Sequence, residues 1–300
     1  MRFVLFGISL VLCCLPAAAQ DRTTLGWGRL FSNDALGDGN DRWQTGHYGV
    51  SVLRGATWDG DLPTQAGEIL EFRAYGQIIA PANLTVPNPD DRRYAGALSL
   101  GLYTHFMMGQ ADASLGGDLV VIGPQTRLGA FQSDIHDLLN IVEPQVLDDQ
   151  IGNKMAPTLT GEVGRRFRLG ENMSVRPFVE ARAGDETLIR TGGDIIIGGA
   201  WESSLMLRDK VTGQRFGGID GGTLGFSLIL GADVAHVFSS AYLPAGGAVV
   251  LSENRTRLRA GMDWQGARSG VFYGVTYLGP EFEGQDGGQV TGSLNVNFDF

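Results

Sequence analysis

The last eleven residues, VTGSLNVNFDF, alternate with a period of two. Val290, Gly292, Leu294, Val296, Phe298 and Phe300 share one face of an extended strand, and Ser293, Asn295, Asn297 and Asp299 share the other. A period of two makes a strand with one apolar side. Ending on an aromatic after such a strand is a habit of outer-membrane barrels. If the other strands agree, the apolar side meets lipid and the polar side turns into a lumen.

The rest of the chain agrees. Leu70, Phe72, Ala74, Gly76 and Ile78 oppose Glu71, Arg73, Tyr75 and Gln77, and Leu98, Leu100, Leu102 and Phe106 oppose Ser99, Gly101, Tyr103 and His105. Leu159, Val163, Phe167 and Leu169 read as one strand interrupted by Arg165. Val175, Pro177, Val179, Ala181 and Ala183 oppose Arg176, Glu180 and Arg182. Leu224 to Val234 and Thr256 to Trp264 repeat the pattern, the latter against Arg255, Arg257, Arg259 and Asp263. Clusters such as Asp59-Gly60-Asp61-Leu62-Pro63, Pro87-Asn88-Pro89-Asp90 and Gln285-Asp286-Gly287-Gly288 separate strands as turns or loops. A strand-plus-turn unit of roughly 20–25 residues predicts about 12 strands, with ten and fourteen as neighbours. The predicted fold is all-β: a transmembrane antiparallel barrel closed on itself, because lipid does not tolerate an open sheet edge. One short helix near 130–140 departs from the pattern. Phe131, Ile135, Leu138 and Leu139 form its apolar stripe, while Gln132 and His136 stack at i,i+4.

Export is written at the N-terminus. Met1-Arg2, the apolar run Phe3 to Leu12 and Ala17-Ala18-Ala19 form a signal peptide over residues 1–19, leaving residues 20–300 as a single barrel domain. Both cysteines, Cys13 and Cys14, fall inside that signal, so disulfides, thiol nucleophiles and thiolate metal sites drop out of the mature chain. The mean hydropathy of −0.01 and the lack of a later long apolar run exclude a helical membrane protein but not a barrel. A formal charge of −10 disfavours nucleic acid as a partner.

Chemistry has few places to sit. Of the four histidines, His136 has the most suggestive setting, between Asp134 and Asp137 and one turn after Gln132. A neutral imidazole there can take a proton from water; a hydrogen-bonded histidine without catalysis is the plainer alternative. His105 and His47 read as structural, and His236 as interfacial on the apolar parity of its strand. Asn33-Asp34 is an oxygen pair suited to a hard cation if it lies in a loop. Asp41-Arg42-Trp43-Gln44-Thr45-Gly46 and Asp90-Asp91-Arg92-Arg93-Tyr94-Ala95-Gly96 add polar clusters in which arginine could clamp a phosphate or close a lumen ion pair.

Taken in order, Ser32-Asn33-Asp34, Asp41 to Gly46, Asp91 to Gly96, Ile122-Gly123-Pro124-Gln125-Thr126 and Gln132-Ser133-Asp134-Ile135-His136 resemble the LpxR family of outer-membrane lipid A 3'-O-deacylases. Gly231-Ala232-Asp233-Val234 and Glu281-Phe282-Glu283-Gly284-Gln285 add to the likeness, which covers nearly all of the mature chain. The resemblance implies a twelve-stranded barrel in the outer membrane of a Gram-negative bacterium and calcium-dependent hydrolysis of the 3'-linked acyloxyacyl ester of lipid A. It implies that His136 is the general base, with Thr45 and Gln132 as polar active-site positions. Arg92 is implied in substrate binding, and Asn33 and Asp34 in the Ca2+ site, with Glu143 nearest to a further ligand. Its expected partners are lipid A or lipopolysaccharide, outer-membrane lipid, and the barrel-assembly machinery during insertion. The chain departs from the family pattern at Gln44, where tyrosine is usual, at Arg93 in place of proline, and at Lys154 in place of glutamate. The alternative is a non-catalytic barrel, a narrow porin or a structural protein. A soluble glycan-binding sandwich is opposed by the final Phe300 and the chain length.

Overall fold

The computed structural model describes residues 22–247 and 249–298. The predicted signal peptide and the terminal Phe300 lie outside the described residues. The strands are β1 (Thr23–Asn33), β2 (Trp43–Gly55), β3 (Ile69–Ala80), β4 (Ala95–Met108), β5 (Ala111–Ile122), β6 (Lys154–Gly164), β7 (Phe167–Arg168) and β8 (Met173–Ala183). After them come β9 (Glu186–Gly198), β10 (Leu205–Arg208), β11 (Arg215–Ile219), β12 (Gly225–Ser240), β13 (Asn254–Gln265), β14 (Ser269–Leu278) and β15 (Gln289–Phe298). One α-helix, α1 (Leu128–Leu139), lies between β5 and β6.

Each long strand pairs antiparallel with its neighbour. The ring closes where β1 meets β15, with Phe31 opposite Leu294, and where β6 pairs directly with β8, the small β7 continuing along the start of β8. Twelve strands make the wall, as the spacing predicts. The segment Leu159–Leu169, expected as one strand, is divided: β6 stops at Gly164 and the chain turns at Arg165 before β7. Arg165 instead lies over the Phe167 ring, 4.8 Å from its centre.

The alternation becomes an inside and an outside. Phe72, Leu98, Leu100, Leu102, Leu159, Phe226, Leu258 and Met262 are exposed on the outer face. Glu71, Tyr75, Ser99, Arg176, Glu180, Asp233, Arg257, Ser293 and Asn295 are buried in the lumen. No described helix is long and apolar enough to cross a membrane; the strands do the crossing.

Charges removed from water need partners, and the lumen supplies them. Asp194 accepts from Arg208 at 2.7 Å and from Arg259 at 2.6 Å. Asp233 is shared by Arg190, Arg257 and Arg259. Glu162 binds Arg176 and Arg208. His105 lies 2.8 Å from Glu71 and so is structural, as expected, while His236 is exposed on the outer face and packs edge-on against Phe238.

The connection between β9 and β12 folds back into the barrel as the β10–β11 hairpin, which the alternation did not predict. Leu205, Met206, Leu207, Phe216 and Ile219 pack against the inward side chains Leu30, Leu53, Ile69, Ile229 and Phe272. An apolar core therefore fills one end of the lumen. At the hairpin tip, Asp209 meets His47 at 3.0 Å and accepts from the Tyr75 hydroxyl at 3.0 Å. Because β1 starts and β15 ends at the same rim as this hairpin, the loops after β1, β3 and β5 lie at the opposite rim.

Leu100, mid-strand on the outer face and 71 % exposed, tests this orientation. Leu100→Arg is expected to destabilise the barrel by about 2–4 kcal/mol in urea unfolding from lipid vesicles, and Leu100→Ala by much less. Equal, small effects for both would show that this face does not meet lipid.

Candidate active site

The site is assembled at the rim opposite the plug, from the β1–β2 loop, the start of β2 and α1. At the end of β1, Asn33 caps a short turn: its side-chain oxygen accepts from the Ala35 amide at 2.8 Å and its amide donates to the Thr45 carbonyl at 3.0 Å. Such capping fixes a backbone that would otherwise leave donors unpaired. Gly46, across the ladder, leaves room for it, since a Cβ there would sit 2.8 Å from the Asn33 amide nitrogen. Asp34, turned inward by this cap, is buried and accepts from the Arg42 amide at 3.1 Å.

Strand β2 begins irregularly. Trp43 has a φ of 51°, and the pairing slips between Trp43 and Gly46. An extra residue in one strand breaks the in–out alternation, and here it buries Gln44 and Thr45 together. Gln44 donates to the Glu281 carboxylate at 3.0 Å and accepts from Gln77 at 2.7 Å. The Thr45 hydroxyl is buried without a hydrogen-bond partner among the described residues.

Helix α1 places the histidine. Gly96 permits its close approach to the wall, since a Cβ there would sit 2.7 Å from the Thr126 hydroxyl and 2.9 Å from the Leu128 Cβ. The apolar stripe Phe131, Ile135, Leu138 and Leu139 is exposed, while Gln132 and His136 on the opposite side are buried. Asn140, in the left-handed region at φ 55°, ends the helix, a conformation asparagine tolerates better than most residues. The chain then turns back, so that His136 Nδ1 lies 2.7 Å from the Val142 carbonyl oxygen. A carbonyl only accepts, so Nδ1 carries the proton and Nε2 faces the site. Nε2 is 3.1 Å from Asp41 Oδ2 and 3.5 Å from the Gln132 amide nitrogen, which is 3.4 Å from the same Asp41 oxygen.

Asp41 is thus the residue that joins the β1–β2 loop to the helix. The sequence displays it in the Asp41–Gly46 cluster but does not mark it as the histidine's partner, because 95 residues separate the two. Its Oδ1 is buried without a hydrogen-bond partner among the described residues. Burial first, and then the Asp41 charge, push the Asp34 carboxyl up to about 8. Burial and the same charge also raise the Tyr94 phenol above its ordinary value, so it stays a protonated donor.

The structure brings Asp34, Asp41, Gln132 and His136 to one place, with Asn33 and Thr45 bonded to each other beside them. Arg92 lies lower: it is buried and paired with Glu281, which also holds Gln44. Glu143 is exposed in the loop after α1 and makes no ion pair among the described residues. Among the described residues no group of three or more histidine, cysteine, aspartate or glutamate side chains has the geometry of a metal site.

The sequence profile of the outer membrane protein LpxR family matches residues 5–300. The chain belongs to the LpxR family. Its place is therefore the outer membrane of a Gram-negative bacterium, and family membership supports a lipid A-modifying enzyme there. In fold it is similar to LpxR from Salmonella typhimurium, with a TM-score of 0.77 and 19 % identity over 92 % of this chain and 100 % of that one. The KdgM porin aligns over 92 % of this chain and 98 % of its own at a TM-score of 0.41 and 7 % identity, too distant to carry an argument. No curated protein matches at the sequence level. Two departures from the LpxR pattern have structural consequences. Gln44 gives its side chain to Glu281 and Gln77, and Arg93 reaches Asp149 at 3.5 Å on the surface. Lys154 is exposed at the start of β6, and nothing in the structure explains that departure.

The raised Asp34 pKa has a sign that can be tested. Folded protein holds a proton that unfolded chain releases, so stability contributed here falls as pH rises from about 4 to about 8. In chelator-treated protein, hydrogen exchange over residues 34–42, corrected for its intrinsic rate, should accelerate across that window. Asp34→Asn should remove the dependence; an unchanged slope in the variant would refute the assignment.

Proposed function

We propose that the chain hydrolyses the 3'-linked acyloxyacyl ester of lipid A at this rim. The observation that carries the reading is His136, oriented by the Val142 carbonyl so that Nε2 faces Asp41, on a helix whose other face is apolar and exposed. A lipid ester can reach such a site without its acyl chain leaving an apolar surface.

A water that takes the place of the Asp41 carboxylate at Nε2 gives its proton to the neutral imidazole of His136 as its oxygen attacks the ester carbonyl. The imidazolium that forms keeps its Nδ1–H on the Val142 carbonyl, and its Nε2–H can bond the Asp41 carboxylate. Collapse of the tetrahedral intermediate breaks the bond to the sugar oxygen, which receives the proton from Nε2. The products are a free acid and a 3'-hydroxyl. Gln132 holds Asp41 and the imidazole in register, and Thr45 presents an uncommitted hydroxyl to the same site.

Two features of the residues present support a calcium ion. Asp34 is buried close enough to Asp41 to feel its charge, and Asp41 Oδ1, without a hydrogen-bond partner among the described residues, is a hard donor of the kind calcium prefers. We assign Asp34 and Asp41 to the ion, with Asn33 and Glu143 as further oxygen donors. When bound, the cation supplies positive charge for the developing oxyanion. Arg92 acts from beneath, holding Glu281, which in turn accepts from Gln44. The porin alternative is disfavoured by the hairpin that fills one end of the lumen.

The test is mass spectrometry of lipid A incubated with detergent-folded protein, with calcium or chelator. Loss of the 3'-acyloxyacyl mass is expected only with calcium, and His136→Ala should slow it by about 10²–10⁴-fold. Intact lipid A after incubation with folded, calcium-loaded protein would overturn the reading.

A further inference from the structure

Below the rim, between the wall and the plug tip, lies a cavity of about 50 Å³ with an unbalanced lining. Its cations are Arg92, Arg182, Arg190, Lys210, Arg255 and Arg257; its carboxylates are only Asp185, Glu186 and Glu281. Acids outside the lining also reach these cations, but unevenly. Glu180 serves Arg182 and lies 3.5 Å from Arg190 Nε, and Asp233 serves Arg190 and Arg257 while also bonding Arg259. That leaves Arg92, Arg255 and Lys210 facing Asp185, Glu186 and Glu281. Of these acids, Asp185 is committed to neutral donors: Thr158, the Glu186 amide and the Tyr242 hydroxyl. Lys210 has no carboxylate within ion-pair distance among the described residues, and its ammonium rests 4.3 Å from the centre of the Tyr75 ring.

Hydrogen bonding is also incomplete. Arg92 Nε, Arg190 Nε, and both Nε and Nη2 of Arg255 are buried without hydrogen-bond partners among the described residues. All three side chains are more than nine-tenths buried, at 3 %, 5 % and 8 % exposure. Water could satisfy the N–H groups, but it gives Lys210 no counter-charge at contact distance, and a buried ammonium without one is costly. A compact anion answers both deficits, since guanidinium forks and an ammonium are the usual donors to such ions. The volume exceeds the roughly 10–15 Å³ that one water needs and leaves space for one ion.

We propose that this cavity is a binding site for a small inorganic anion, of halide or phosphate size, held by Arg92, Arg190, Arg255 and Lys210. The anion ties the rim to the plug. Arg92 and Arg255 grip Glu281, which carries Gln44 beside Thr45, while Lys210 belongs to the hairpin tip. The site is separate from the ester-cleaving residues and stands whether or not they cleave lipid A.

The experiment is thermal unfolding of the full barrel refolded in gluconate buffer, titrated with sodium bromide and, separately, sodium phosphate at constant ionic strength. A saturable rise in midpoint is expected with at least one of them, and the ion that saturates at the lower concentration identifies the class. Lys210→Met and Arg255→Gln should each weaken apparent affinity by at least tenfold. Bromide anomalous scattering from crystals of the unmutated protein gives a reading independent of whether the variants fold, with a peak expected between Arg255 and Lys210. No saturable response and no peak would mean that water alone fills the cavity. A response unchanged in both variants would place the anion elsewhere. Either result overturns the proposal.

Discussion

Everything in this protein depends on the closure of one hydrogen-bonded ladder. In lipid, a strand edge would leave its N–H and C=O groups without partners, each at a cost of several kcal/mol. The pairing of β1 with β15 removes the last edge, and its register sets every later relationship. With Phe31 opposite Leu294 and Ser32 opposite Ser293, apolar residues line up outside and hydroxyls inside, where the two serine oxygens lie 2.7 Å apart. Once the wall is closed, side chains have only two destinations, lipid or lumen.

The lumen is built by charge matching rather than by apolar packing alone. Asp194 and Asp233 each bind more than one arginine, so guanidiniums bridge strands that share no ladder. The plug divides this interior. At its own end it supplies apolar side chains, and at its tip Asp209, buried against His47 and Tyr75, fastens it to β2 and β3. The rim site therefore rests on a filled, braced cylinder, which lets short loops hold a histidine and two carboxylates in fixed relation.

Local irregularities, rather than the regular wall, assemble the rim cluster. The slipped pairing at Trp43 buries Gln44 and Thr45 on the same side, where a regular strand would have sent Gln44 to the lipid. The left-handed Asn140 turns the chain so that the Val142 carbonyl sets the histidine tautomer. Gly96 seats the helix by leaving out a side chain. Each is a single-residue event, and together they bring Asp41 to His136.

The sequence by itself determined the wall, the strand number and the helix, because period-two and period-3.6 patterns are local and repeat over many residues. It marked His136, Asn33, Asp34, Thr45 and Gln132 as candidates, and the structure gathers these at one rim. It did not reveal Asp41 as the partner of His136, nor Glu281 as the anchor of Arg92, since 95 and 189 residues separate them and no periodicity links them. Nor did it show the inward hairpin, whose Leu205–Arg208 and Arg215–Ile219 strands are too short to display a clear alternation. Those relationships were decided by tertiary structure alone: closing the barrel brings distant loops to a common rim, and burial then obliges their charges to find one another.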